Sequence, residues 1–101
     1  MTFERVMGLH VVDEDGYQKY REGMEPILNS VGGSFGYDFL IAEVLRSKTE
    51  DTINRVFTIE FPNKQVMDEF FSRPDYLEIQ KKHFENSVQA KTVISMHEKS
   101  T

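Results

Sequence analysis

Two hydrophobic periods alternate along this chain, and the order in which they follow one another constrains the fold more than any other feature. Val6-Met7-Gly8-Leu9-His10-Val11-Val12 is apolar and β-branched almost throughout, so about Phe3 to Val12 reads as a strand partly covered on both faces. From Tyr17 the apolar residues Tyr20, Met24, Ile27, Leu28 and Val31 recur at threes and fours, the stripe of an amphipathic helix. Period two then returns twice. Ser34 to Leu45 carries Phe35, Tyr37, Phe39, Ile41 and Leu45. Arg55 to Phe61 puts Phe57, Ile59 and Phe61 on one face and Val56, Thr58 and Glu60 on the other. Val66, Met67, Phe70 and Phe71 form a short helix, and Pro74 opens a further helix to about Glu85. A last strand runs from about Ala90 to His97.

The punctuation agrees with these elements. Asp13 or Asp15 can cap the first helix, and Pro26 is expected to kink it near Glu22–Gly23. Gly32-Gly33 ends it where a positive φ is needed, which is expected at Gly33. The polar run Arg46–Thr52 is a loop between antiparallel strands, and Pro62-Asn63 stops the third strand.

The order is β-α-β-β-α-β, an α+β unit of ferredoxin-like type. The expected sheet is four-stranded and antiparallel in the order four-one-three-two, with both helices on one face and residues 1–101 forming one domain. The second sheet face is not a solvated polar set, because Val6, Gly8, Val12, Val56, Ile94 and Met96 are assigned to it. Two helices cannot cover both faces, so a second copy of the chain is the expected cover, and the protein is expected to be a homodimer.

Composition narrows the function classes. Seventeen acids against twelve bases give a net charge of −5, which disfavours nucleic-acid binding, and the Lys81-Lys82 pair is too short to form a phosphate-binding patch. No cysteine is present, so thiolate metal and redox sites are excluded. His10, His83 and His97 lack metal-ligand spacing, and no metal or cofactor is expected. No run of apolar residues is long enough to span a membrane, and the start of the chain lacks a secretory pattern, so a cytoplasmic location is expected.

One set of residues carries a family resemblance. Asp13, Tyr17, Tyr20-Arg21, Gly32-Gly33, Arg55 with Glu60-Phe61-Pro62, then Pro74 and Tyr76, in this order and spacing, resemble a family of short, mostly bacterial proteins. It is number thirteen-thirty among the domains of unknown function, within the dimeric α/β-barrel superfamily. The resemblance implies a ferredoxin-like fold whose sheets pair face to face and enclose a cavity. Superfamily relatives include cofactor-free monooxygenases, isomerases, haem-handling proteins and binding modules, so the fold does not select a function.

The candidate site follows from strand parity. Glu60 lies opposite the helix-packing Phe57, Ile59 and Phe61, so it faces the expected sheet-enclosed cavity with Thr58. A carboxylate partly desolvated there suits a general base or ligand anchor, but an ion pair with Arg55 or a lysine at the dimer seam is the reading to be preferred. His10 shares that face and can act as acid, base or hydrogen-bonded barrel residue. His10, Arg55, Thr58 and Glu60 are the expected ligand-pocket residues, with Glu60 and His10 the candidates for catalysis. Tyr17 and Tyr20 read as core aromatics. The leading expectation is a homodimer that binds a small, partly apolar organic molecule. A cofactor-independent enzyme of monooxygenase or isomerase type and a purely structural dimer are the alternatives.

Overall fold

The computed structural model describes residues 1–100. The elements are β1 (Thr2–Val11), α1 (Glu14–Ser30), β2 (Ser34–Leu40), β3 (Arg55–Phe61), α2 (Lys64–Phe70), α3 (Pro74–Ile79), a π-helical turn (Gln80–Phe84), a final helical turn (Glu85–Ser87) and β4 (Val88–Lys99). The sheet is antiparallel in the order β2-β3-β1-β4, the ferredoxin-like order expected from the sequence. The core lies between the helices and one sheet face. Phe3, Met7, Leu9 and Val11 from β1 and Phe57, Ile59 and Phe61 from β3 meet Tyr17, Tyr20, Met24, Leu28, Met67, Phe70 and Tyr76. Each large side chain buried in this way contributes about 1.5–3 kcal/mol.

The helix ends show why the chain turns where it does. The Asp13 carboxylate accepts the Gly16 amide and caps α1, so Asp13 and not Asp15 is the cap. At the other end the Gly32 amide donates to the Asn29 carbonyl and the Gly33 amide to the Leu28 carbonyl, a Schellman closure. The residue at positive φ is Gly32, at 83°, and not Gly33 as expected. Gly33 is held to glycine by space: a Cβ there would stand 2.5 Å from Leu28 Cδ1 and 3.0 Å from the Glu60 carbonyl oxygen. Helix α1 continues as one element through Pro26. Asn63 caps α2 through the Val66 amide.

Two irregularities redirect side chains that simple alternation misassigned. In β2, Gly36 and Tyr37 together oppose Thr58, whose hydroxyl accepts the Tyr37 amide at 2.8 Å. This bulge separates Phe35, which packs toward the helices, from Phe39, which faces the other way beside Val56 and stacks on Tyr37. In β4, Ile94 is the extra residue between the Val6–Ser95 and Met7–Val93 pairs, so Met96 pairs with Arg5 and turns toward the helix side. Met96 therefore leaves the face to which alternation assigned it. Val12 lies outside β1.

Strand β2 is also shorter than its apolar pattern. It ends at Leu40 because its partner β3 begins at Arg55, and beyond that pair only the Ile41 amide to the Asn54 carbonyl continues the ladder. Asn54 fastens the end of the loop that follows. Its side chain accepts the Val11 amide and donates to the Val11 carbonyl, while its own amide donates to the Leu9 carbonyl. Ile53 then lies against Gly8, with its carbons 3.1 Å from where a Cβ would stand.

Candidate functional site

The principal cavity lies between the helices and the sheet, across the sheet from the face that parity singled out. Its volume is about 410 Å³, within the range of small-molecule sites. Its walls are aromatic and thioether. Tyr17, Tyr20 and Met24 come from α1, Phe35 and Phe57 from the sheet, and Phe71, Tyr76 and Phe84 from the segment after α2. Met7, Met67 and Met96 complete them, so four of the five methionines line this space. Lys64, Asp68, Lys91 and Met96 are exposed lining residues, which places the mouth between α2 and β4.

Two polar features interrupt the apolar walls. The first is Arg5, which stands in the core row of β1 between Phe3 and Met7. Its guanidinium lies over the Phe71 ring, 4.7 Å from the centroid. Its Nε is buried with no hydrogen-bond partner, and the side chain makes no ion pair among the described residues. Burial lowers the Arg5 pKa, which the nearby Tyr76, Tyr20 and the Asp68 carboxylate partly offset. The second feature is a hydroxyl pair, Tyr20 to Tyr76, at 2.8 Å. Burial is the main cause that raises both phenol pKa values, so both hydroxyls stay protonated near neutral pH.

A charged network closes the far side of the same layer. Arg55 clamps Asp38 with two bonds of 2.8 Å, and Arg21 reaches the same carboxylate at 3.3 Å. Arg21 also donates to the Tyr17 hydroxyl at 2.8 Å and lies over Phe35 at 3.9 Å. Glu14 adds a longer contact to Arg55. The hydrogen bonds from Arg55 are the first cause that holds the Asp38 carboxyl below its ordinary value.

The expected site residues divide between the two faces. Arg55 pairs with Leu9 and shares the parity of Phe57, so it belongs to the helix side and to the Asp38 network, not to a pocket with His10 and Glu60. Thr58 and Glu60 stand on the open face, and so does His10, next to the Gly8–Val56 and Leu9–Arg55 pairs. Thr58 is used by the β2 bulge. Glu60 is 27% exposed at its side chain and accepts from Lys99 at 3.3 Å, which realises the ion-paired alternative. Lys99 also reaches Glu4, the residue directly opposite Glu60 in the ladder.

His97 Nε2 lies 3.0 Å from Glu4 and its Nδ1 lies 2.7 Å from the Ser95 hydroxyl. Thus Glu4 from the neighbouring strand is the acid beside His97. Neither Glu60 nor His10 lines the principal cavity, so neither is placed to move a proton within it. Among the described residues no three His, Asp or Glu side chains are placed to hold a metal.

Sequence reasoning missed Arg5 and undervalued Tyr20 and Tyr76. The available signal was the parity of Arg5: it is a charge in the row of Phe3, Met7 and Leu9, and such a charge needs a reason to be there. Five of the twelve residues that carried the family resemblance gather around this layer: Tyr17, Tyr20, Arg21, Arg55 and Tyr76.

Comparison with known proteins agrees with the fold. A protein of unknown function from Rhodopseudomonas palustris superposes with a TM-score of 0.78 at 17% identity, covering 99% of this chain and 83% of that one. A dabb family protein with a ferredoxin-like fold from Mesorhizobium loti gives 0.65 at 11% identity, covering 99% and 98%. A protein of unknown function from Bacteroides fragilis, described as dimeric and ferredoxin-like, gives 0.54 at 10% identity, covering 96% and 95%. No curated protein matches the sequence. At these identities the likeness speaks for the fold alone. The sequence itself is matched over residues 5–96 by one family model, and with the fold in agreement the chain belongs to the family described as domain of unknown function DUF1330.

Proposed function

We propose that the protein binds a small, largely apolar organic molecule in the cavity between its helices and its sheet, and that it does so as a homodimer joined through the open sheet face. The observation that carries the binding reading is the cavity of about 410 Å³ with its aromatic and methionine walls. Methionine and aromatic side chains adapt to a flat apolar guest without losing hydrogen bonds. The dimer reading rests on the open face. Val6 and Val56 are its apolar centre, and Tyr37 and Phe39 are 69% and 51% exposed on it. The dimeric description of the Bacteroides fragilis neighbour is consistent with this.

Methyl NMR of the methionines tests the binding reading. Titration with 2-naphthamide, a neutral flat probe, should shift the methyl signals of Met7, Met24 and Met67 saturably and leave Met1 unmoved. The absence of any saturable shift with 2-naphthamide or its carboxylate counterpart overturns the reading.

A further inference from the structure

We infer that the Arg5–Tyr20–Tyr76 end of the cavity is a head-group site for a carboxylate, so that the ligand is a flat, largely apolar monocarboxylic acid. This inference rests on the cavity reading above and adds the chemical class of its ligand. It is carried by the hydrogen-bonding capacity left over at that end.

Arg5 presents N–H donors and no acceptor, its Nε is buried without a partner, and it makes no ion pair among the described residues. A guanidinium left in this condition is costly, and a group that accepts from it removes the cost. Asp68 is the one carboxylate on the cavity lining, and it is held at 2.9 Å by Lys64 at the exposed mouth. The tyrosine pair adds to the same deficit of acceptors. Two hydroxyls bring two protons but make one bond to each other, and neither hydroxyl has another protein partner. One O–H is therefore left to donate. A ligand group that only accepts satisfies the guanidinium and the spare hydroxyl together.

The charge selects among acceptors. Arg5 is the one cation in the interior of the cavity, because Lys64 and Lys91 are exposed at its mouth. A single guanidinium neutralises a monoanion, whereas a phosphate dianion would bring a second charge into apolar walls with nothing to balance it. The two-pronged guanidinium also matches the two oxygens of a carboxylate. The Phe71 ring centroid lies 4.7 Å from the guanidinium carbon, and the ring holds the head group at the cavity wall before a ligand arrives. The aromatic walls then accept the body of the acid.

The test compares 2-naphthoate with 2-naphthamide, which share size and shape and differ in charge. In the wild-type protein the carboxylate should bind at least tenfold more tightly. Arg5→Met should remove that preference by weakening 2-naphthoate tenfold or more while leaving 2-naphthamide within about twofold. Tyr76→Phe should weaken 2-naphthoate selectively and by a smaller factor. Equal affinity for the two probes in the wild type overturns the carboxylate assignment and leaves the cavity reading standing. Failure of both probes overturns the two readings together. The wild-type comparison decides the matter even if Arg5→Met does not fold, and Arg5→Lys, which keeps the charge without the fork, then replaces it and should retain only part of the preference.

Discussion

Gly32 and Gly33 are adjacent and both intolerant of side chains, for different reasons. Gly32→Val places a β-branched residue at a φ of 83°, and Gly33→Val drives a Cβ into Leu28 and the Glu60 carbonyl. The strain at Gly32 amounts to about 1–2 kcal/mol or more, and overpacking at Gly33 to about 1–3 kcal/mol. Lys82→Ala removes an exposed charge and should stay within about 0.5 kcal/mol. Urea denaturation of the three variants checks this ranking. Equal midpoints for all three would remove the Schellman closure as a source of stability. Glu60 stands on the open face in an ion pair with Lys99. Its Lys99 partner is half-exposed and has Glu4 as a second acceptor, while Glu4 and Glu60 oppose each other across the ladder. Removing one of two facing carboxylates offsets the lost pair, so Glu60→Gln should change stability by less than about 1 kcal/mol. A loss near 3 kcal/mol in the same denaturation experiment would show a stranded buried charge instead.

At the scale of elements, side chains bond the backbone where the ladder is irregular. Asn54 replaces a missing strand pair at the end of β1, and Asn54→Ala would leave the Val11 amide and carbonyl unmatched. A loss of about 1–3 kcal/mol is expected by thermal or urea unfolding, with faster amide exchange at Val11 as the local signature. The bulge in β2 brings Asp38 onto the parity of Phe57, where Arg55 and Arg21 meet it. Arg55 depresses the Asp38 carboxyl below its ordinary 3.8, so the folded state binds the proton less readily than the unfolded state. The stabilisation is therefore complete above pH 3.8 and is lost as pH falls through the lower folded value. Asp38→Asn should be less stable than wild type at pH 6, and the gap should narrow between pH 4 and pH 2. A gap that stays constant over that range would mean that the ion pairs contribute nothing that titrates.

At the scale of the molecule, the open sheet face is the feature a single copy leaves unfinished. Light scattering on the native chain should give twice the monomer mass, and Val56→Glu, a charge at the apolar centre of that face, should shift the mass toward one copy. A native chain that stays monomeric at micromolar concentration sinks the dimer. The element order, the antiparallel strand order and the helix-facing row of β3 were all legible in the sequence. Each depends on local periodicity, and Phe57, Ile59 and Phe61 can bury only one way. The placement of Met96, the separation of Phe35 from Phe39 and the end of β2 at Leu40 were not, because each depends on one inserted residue or on where a partner strand begins. The candidate site was legible least of all. Arg5, Tyr20 and Tyr76 lie on β1, α1 and α3, and only the packing of the helices on one face of the sheet brings them to one cavity. In the regular rows of β1 and β3 sequence parity decided which side of the strand each residue faces; the tertiary structure alone decided which side of the sheet holds the space, because a cavity is what packing leaves between elements, and no single element encodes it.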